Sequence, residues 1–210
     1  MIWATAICLF GLGLLLRGEI HRDLGERIVG KSVASLGFFI VGWCAMPPTA
    51  FGYSMVLGLG FGVLGDLALL HPRGFLLGLV AFLIGHLGYV IGFAIVAPAA
   101  TWPSWPALLP IATSLVALRW WLWPHLGAMR LPVIAYVTVI TAMVIGAIAV
   151  CRAAAIPHPH RMLAGTLLFF ASDFTVARDK FVAPSLSNRI VGLPAYYGGQ
   201  LLIAWALSAS

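Results

Sequence analysis

The chain has 210 residues, of which 62% are apolar and 9% charged, with a net charge of +6 and a mean hydropathy of +1.04. A soluble domain carries roughly a quarter charged residues, so this composition excludes water as the main solvent of the surface. In lipid every backbone polar group must be paired internally, which leaves only helices and closed barrels, and apolar runs of about 16 to 24 residues without period-2 alternation select helices.

Taken in chain order, the apolar runs predict an all-α polytopic membrane protein with eight spans, at 1–16, 31–46, 51–70, 74–97, 107–123, 131–151, 161–178 and 190–208. Residues 1–16 lack the basic n-region and small-residue cleavage site of a secretory signal, so they read as a first span. The polar stretch that follows, with Glu19, Asp23 and Glu26 among arginines, reads as a solvated loop. The first two spans are short for a bilayer and imply local thinning. Pro47-Pro48 ends the second span, Pro98 ends the fourth, and Trp102-Pro103-Ser104-Trp105-Pro106 forms a rigid aromatic turn suited to an interface. Cys8, Cys44 and Cys151 lie singly in apolar segments and read as small buried residues rather than ligands. Asp179, between Arg178 and Lys180, reads as surface.

Ten of the twelve lysines and arginines fall in the first, third, fifth and seventh connections, and only Arg152 and Arg161 in the even ones. By the positive-inside rule both termini lie outside and the odd loops in the cytoplasm, in a plasma or inner membrane. The same asymmetry accounts for the positive charge without nucleic acid. The chain reads as one transmembrane domain over 1–210. A shift of 107 residues aligns Gly58 with Gly165, Asp66 with Asp173 and Tyr89 with Tyr196, suggesting parallel four-helix halves at 1–100 and 107–210.

Ionisable groups inside a span are costly and mark function. Asp66 lies roughly 6 Å, and Asp173 roughly 8 Å, from the cytoplasmic ends of their spans at 1.5 Å per residue. Lys31 opens the second span on the same side, His86 lies near mid-membrane, and Tyr89 is one turn further along the same face. Tyr136, Tyr196, Tyr197 and Gln200 belong to the inner half of the sixth and eighth spans. A shared leaflet for most of these residues points to one site. Two carboxylates close together in low dielectric tend to share a proton, giving one general acid and one base or charge stabiliser. Such a pair suits acid-catalysed addition of water to an activated bond, with Lys31 keeping one carboxylate ionised and His86, the tyrosines and Gln200 orienting substrate or water. No G-x-S-x-G elbow or H-E-x-x-H spacing supports a nucleophilic or metal mechanism. Leu64, two residues before Asp66, breaks the G-x-G-D pattern of intramembrane aspartyl proteases.

Lys31, Gly65-Asp66, Phe82 with Gly85-His86-x-x-Tyr89, Tyr136, Gly165 through Phe169 and Ser172-Asp173, Phe181, and Tyr196-Tyr197-Gly-Gly-Gln200 occur in one order from the second span to the last. In this the chain resembles the YhhN family of membrane proteins, whose characterised members are lysoplasmalogenases. The resemblance implies an eight-helix fold, no cofactor, and hydrolysis of the vinyl-ether bond of a lysoplasmalogen. The products would be a fatty aldehyde and glycerophospho-ethanolamine or -choline. Carried onto this sequence, Asp66 and Asp173 are the expected catalytic pair. Lys31, His86, Tyr89, Tyr136, Ser172, Tyr196, Tyr197 and Gln200 are the expected substrate-binding residues. A small proton-coupled transporter using the same acidic pair is the alternative, and a lipid-binding scaffold without chemistry is a third. Turnover in detergent without a gradient separates an enzyme from both.

Overall fold

The computed structural model describes residues 1–209 and folds into eight α-helices, with no strand among the described residues. They are α1 (Ile2–His21), α2 (Leu24–Ala45), α3 (Ala50–Leu69), α4 (Phe75–Val96), α5 (Leu108–Val116), α6 (Arg130–Arg152), α7 (Pro159–Ala177) and α8 (Leu186–Trp205). Five segments are long and apolar enough to cross a membrane: α1, α2, α3, α4, and residues 127–152, which contain α6. The expected eight equivalent spans are therefore not all of one kind. α7 and α8 have 19 and 20 residues, but their apolar runs are diluted by groups such as Asp173, Asn188, Arg189 and Gln200. α5 is an α-helix for only nine residues, after which Ala117–Leu122 widens into a π-helical segment.

The stretch expected to be a solvated loop after residue 16 is helical. α1 runs to His21, Arg22 takes a left-handed conformation with φ 58°, and Asp23 caps α2 by accepting from the Glu26 amide at 2.9 Å. That side-chain cap satisfies an orphan helix donor and lets α2 start after two residues. With 20 and 22 residues, α1 and α2 span about 30 Å or more at 1.5 Å per residue, so neither needs a thinned bilayer. Their axes come together because Gly37 has no side chain: a Cβ there would lie 2.6 Å from the Cys8 backbone nitrogen. Cys8 is buried as expected, whereas Cys44 is exposed and Cys151 half-buried.

α1 packs on α2, α3 on α4 and α7 on α8, each pair joined by a short connection. Further seams run between α2 and α3, α4 and α6, α6 and α7, α8 and α2, and α8 and α1. Seven helices thus form a closed ring, with α5 outside it against α6. The last helix is tied to the first at both ends: Trp205 Nε1 donates to Thr5 Oγ1 at 2.9 Å, and Arg189 Nη1 to Glu19 at 2.7 Å. Large apolar side chains such as Trp3, Phe10, Leu77, Leu109, Leu131 and Val191 point outward, as a lipid-facing surface requires.

Candidate active site

Asp66 is 1% exposed on the inner face of α3, and four donors from two other helices converge on it. Lys31 Nζ donates to Oδ1 at 2.9 Å. Ser35 Oγ, Tyr196 Oη and Tyr197 Oη donate to Oδ2 at 2.6, 2.9 and 3.3 Å. Lys31 and Ser35 reach it together because they are four residues apart on α2, one above the other on the same face. Room for α8 comes from Gly62, one turn before Asp66: a Cβ there would lie 2.7 Å from Gln200 Nε2 and 3.4 Å from Tyr196 Oη. Behind the carboxylate, Gln200 Nε2 donates to Tyr196 Oη at 3.4 Å and Gln200 Oε1 accepts from Tyr89 Oη at 2.8 Å.

Asp173, on α7, has a sparser environment. Tyr136 Oη of α6 donates to its Oδ2 at 2.8 Å, and among the described residues no cation pairs with it. The two carboxylates differ in kind. Asp66 has a counter-ion and a full set of donors, and Asp173 has one hydroxyl.

Both line the same cavity of about 530 Å³, a volume within the roughly 300–1,000 Å³ range of small-molecule sites. Its wall is amphipathic. Arg27, Lys31, Asp179 and Arg189 occupy one part, and Leu118, Trp121, Val133, Val137, Ile140 and Phe170 another. Trp121 stacks on Phe174 with ring centroids 6.1 Å apart and planes at 13°, which holds the π-helical segment after α5 against α7. The buried pair Ser114–Thr141, at 2.7 Å, fastens α5 to α6.

Of the ten residues singled out from sequence, Lys31, Asp66, Tyr136, Ser172, Asp173 and Tyr196 border this cavity. Ser172 spends its proton on the Phe169 carbonyl at 2.7 Å. His86, Tyr89, Tyr197 and Gln200 are buried behind the wall. His86 packs its ring against Phe169 and Tyr136, with centroids 4.7 and 5.2 Å away, and makes no hydrogen bond to another side chain. Its place in the structure is behind Tyr136, not on the cavity surface.

Sequence reasoning missed several groups. Glu19, expected in a solvated loop, is 9% exposed and sits between Arg27 and Arg189, at 2.7 Å from each. Asp179, expected at the surface, is partly buried, binds Arg189 at 3.2 Å and borders the cavity. Ser35 was also overlooked, although its position one turn after Lys31 was a usable signal. Among the described residues no group of three His, Cys, Asp or Glu side chains is placed to hold a metal ion.

The family model of the YhhN family matches residues 26–207. Lysoplasmalogenase TMEM86B of Rattus norvegicus is 30% identical over 164 residues, covering 77% of this chain and 64% of the rat protein. The Homo sapiens protein of that name is 33% identical over 162 residues, covering 72% of this chain and 63% of its own length. The chain thus spans a little under two thirds of these mammalian relatives. The uncharacterized membrane protein YhhN of Escherichia coli O6:H1 is 26% identical over 212 residues, covering 99% of both chains. No solved structure matches. With five apolar helices and relatives that are membrane proteins, the chain is an integral membrane protein. Because the match runs from the first turn of α2 past the end of α8, and takes in both carboxylates, the chain belongs to the YhhN family.

Proposed function

We propose that the protein is a membrane hydrolase that cleaves the vinyl-ether bond of lysoplasmalogens, releasing a fatty aldehyde and a glycerophospho-ethanolamine or -choline. The observation that carries the reading is the unequal pair of carboxylates on one amphipathic cavity, Asp66 paired with Lys31 and Asp173 bound by Tyr136 alone. The names of the mammalian relatives support the reaction class. Asp173 delivers a proton to the vinyl carbon beyond the ether-bearing one, and the ether oxygen shares the resulting positive charge as an oxocarbenium ion. Asp66, held ionised by Lys31, stabilises that charge. Its Oδ1 accepts one hydrogen bond and has capacity left to take a proton from the attacking water. Water adds to the cationic carbon, and the hemiacetal collapses to aldehyde and alcohol with the proton returned to the carboxyl pair.

In the membrane the reading uses eight crossings, both termini outside, and the cavity mouth at the cytoplasmic face. The α2–α8 and α6–α4 seams are equivalent under the 107-residue shift, which supports two parallel halves. The test is aldehyde release from lysoplasmenylethanolamine by purified protein in detergent. Asp66→Asn and Asp173→Asn each abolish it while the protein stays folded. Near-normal turnover by either variant refutes the mechanism, and no aldehyde from folded wild type refutes the activity.

A further inference from the structure

On the charged part of the cavity border, where Arg27 and Arg189 are exposed, each oxygen of Glu19 and Asp179 is engaged, while the cations have donors left over. Glu19 Oε1 accepts from Arg27 Nε and Oε2 from Arg189 Nη1. Asp179 Oδ2 accepts from Arg189 Nε, and Oδ1 from the Ser185 backbone and the Asn188 amide. Asp66 Oδ2 accepts from three hydroxyls and Oδ1 from Lys31. A guanidinium carries five N–H donors and an ammonium three. Arg27 has used its Nε and Arg189 its Nε and Nη1, so terminal nitrogens remain on both. Their side chains are 35% and 41% exposed, which leaves them accessible. Lys180 lies 4.6 Å over the Phe75 ring, also on the cavity border.

A molecule entering here meets a surplus of cationic donors and no free carboxylate oxygen on Glu19 or Asp179. The complementary group is acceptor-only and anionic, and the planar fork of arginine matches phosphate. The rest of the wall is apolar, so the ligand is an amphiphile with phosphate at one end and a hydrocarbon chain at the other. Arg27 lies four residues from Lys31 on α2, about 6 Å along the helix at 1.5 Å per residue, which separates a bound phosphate from Asp66 on the scale of a glycerol backbone.

We infer that Arg27 and Arg189, flanked by Lys180, form a phosphate-recognition site at the cavity mouth that takes the phosphodiester of a single-chain phospholipid. The inference rests on the proposed function for the chemistry of the chain, and its test needs no turnover. Purified full-length protein is titrated with 1-O-alkyl-glycerophosphoethanolamine, whose saturated ether carries no vinyl bond. Parallel titrations use 1-O-alkylglycerol, which lacks phosphate, and glycerophosphoethanolamine, which lacks the chain. Binding is read by tryptophan fluorescence, since Trp121 borders the cavity.

The expected result is phospholipid binding about tenfold or more tighter than either fragment, as one or more charge-assisted hydrogen bonds supply. Arg27→Gln weakens the phospholipid about tenfold and leaves alkylglycerol unchanged. Glu19→Gln, which frees guanidinium donors from their carboxylate, keeps or tightens phospholipid binding. The inference is overturned if phospholipid and alkylglycerol binding fall together in Arg27→Gln and in Arg27→Lys. It is equally overturned if Glu19→Gln selectively weakens the phospholipid, or if the chain-free phosphodiester binds as well as the lipid. A protein that discriminates phosphate in this way but releases no aldehyde keeps the recognition site and loses only the vinyl-ether reading.

Discussion

Replacing Lys31 by Met tests the central ion pair most directly. The Lys31 and Asp66 side chains are 12% and 2% exposed and meet at 2.9 Å, so removing the ammonium strands a carboxylate in a nearly closed site. Breaking such a pair costs about 3–5 kcal/mol when one partner is removed, and we expect the lower end because three hydroxyls still donate to Asp66. About 3 kcal/mol is more than a hundredfold in the folding equilibrium. Asp66→Asn alone costs less, on the order of 1–2 kcal/mol, because the flexible lysine stem can carry its charge toward the mouth. In the double variant no uncompensated carboxylate remains, so its cost stays near that of Asp66→Asn. A cycle of the four proteins, unfolded reversibly in mixed detergent micelles, therefore gives a coupling of about 2 kcal/mol or more. Costs that add to within about 0.5 kcal/mol would show that the two charges do not depend on each other, and would remove the reason for assigning Asp66 as the ionised partner.

Tyr136→Phe deletes the hydroxyl at 2.8 Å from Asp173 without changing ring volume, and we expect kcat for aldehyde release to fall about tenfold to a hundredfold with little change in stability. An unchanged rate would detach Tyr136 from the chemistry. Gly62→Ala places a methyl group 2.7 Å from Gln200 Nε2, so it should destabilise by about 1–3 kcal/mol and lower turnover. Gly60→Ala, whose Cβ would meet only Phe39 at 3.4 Å or beyond, is the neutral control in the same unfolding assay. Ala117→Phe fills the apolar part of the cavity, so KM should rise for long-chain substrates more than for short-chain ones. A uniform rise would place the chain elsewhere.

Much of the inner polar set was legible because an aspartate in an apolar run is conspicuous in one dimension. Asp66, Asp173, Lys31 and Tyr136 all stand out in this way. What could not be read was which polar residue meets which, since the decisive contacts join distant parts of the chain. Glu19 and Arg189 are 170 residues apart, and Glu19 looked solvated because its neighbours in sequence are charged. Its burial follows from two facts without a periodic signature. α1 continues through residue 21, and a two-residue turn folds α2 back along it. The wide segment at 117–122 was hidden for a similar reason, because an apolar run has the same composition whether its turns are α or π. His86 was placed near mid-membrane and Tyr136 in the inner half of the sixth span, and only packing shows that their rings meet, the first behind the second.

The closure of the ring by α8 has a consequence for how the protein is made. Domains form from the N-terminus as synthesis proceeds, and contacts between distant segments come late. Lys31, Ser35 and Asp66 all lie on helices that precede α4, so their pairing needs only the first third of the chain. Tyr196 and Tyr197, which complete the donor set, arrive with the final helix, together with the Trp205 and Arg189 contacts to α1. The nascent protein therefore carries its charged pair long before the donor set around Asp66 is complete, and that set closes only when the last helix has inserted and locked onto the first.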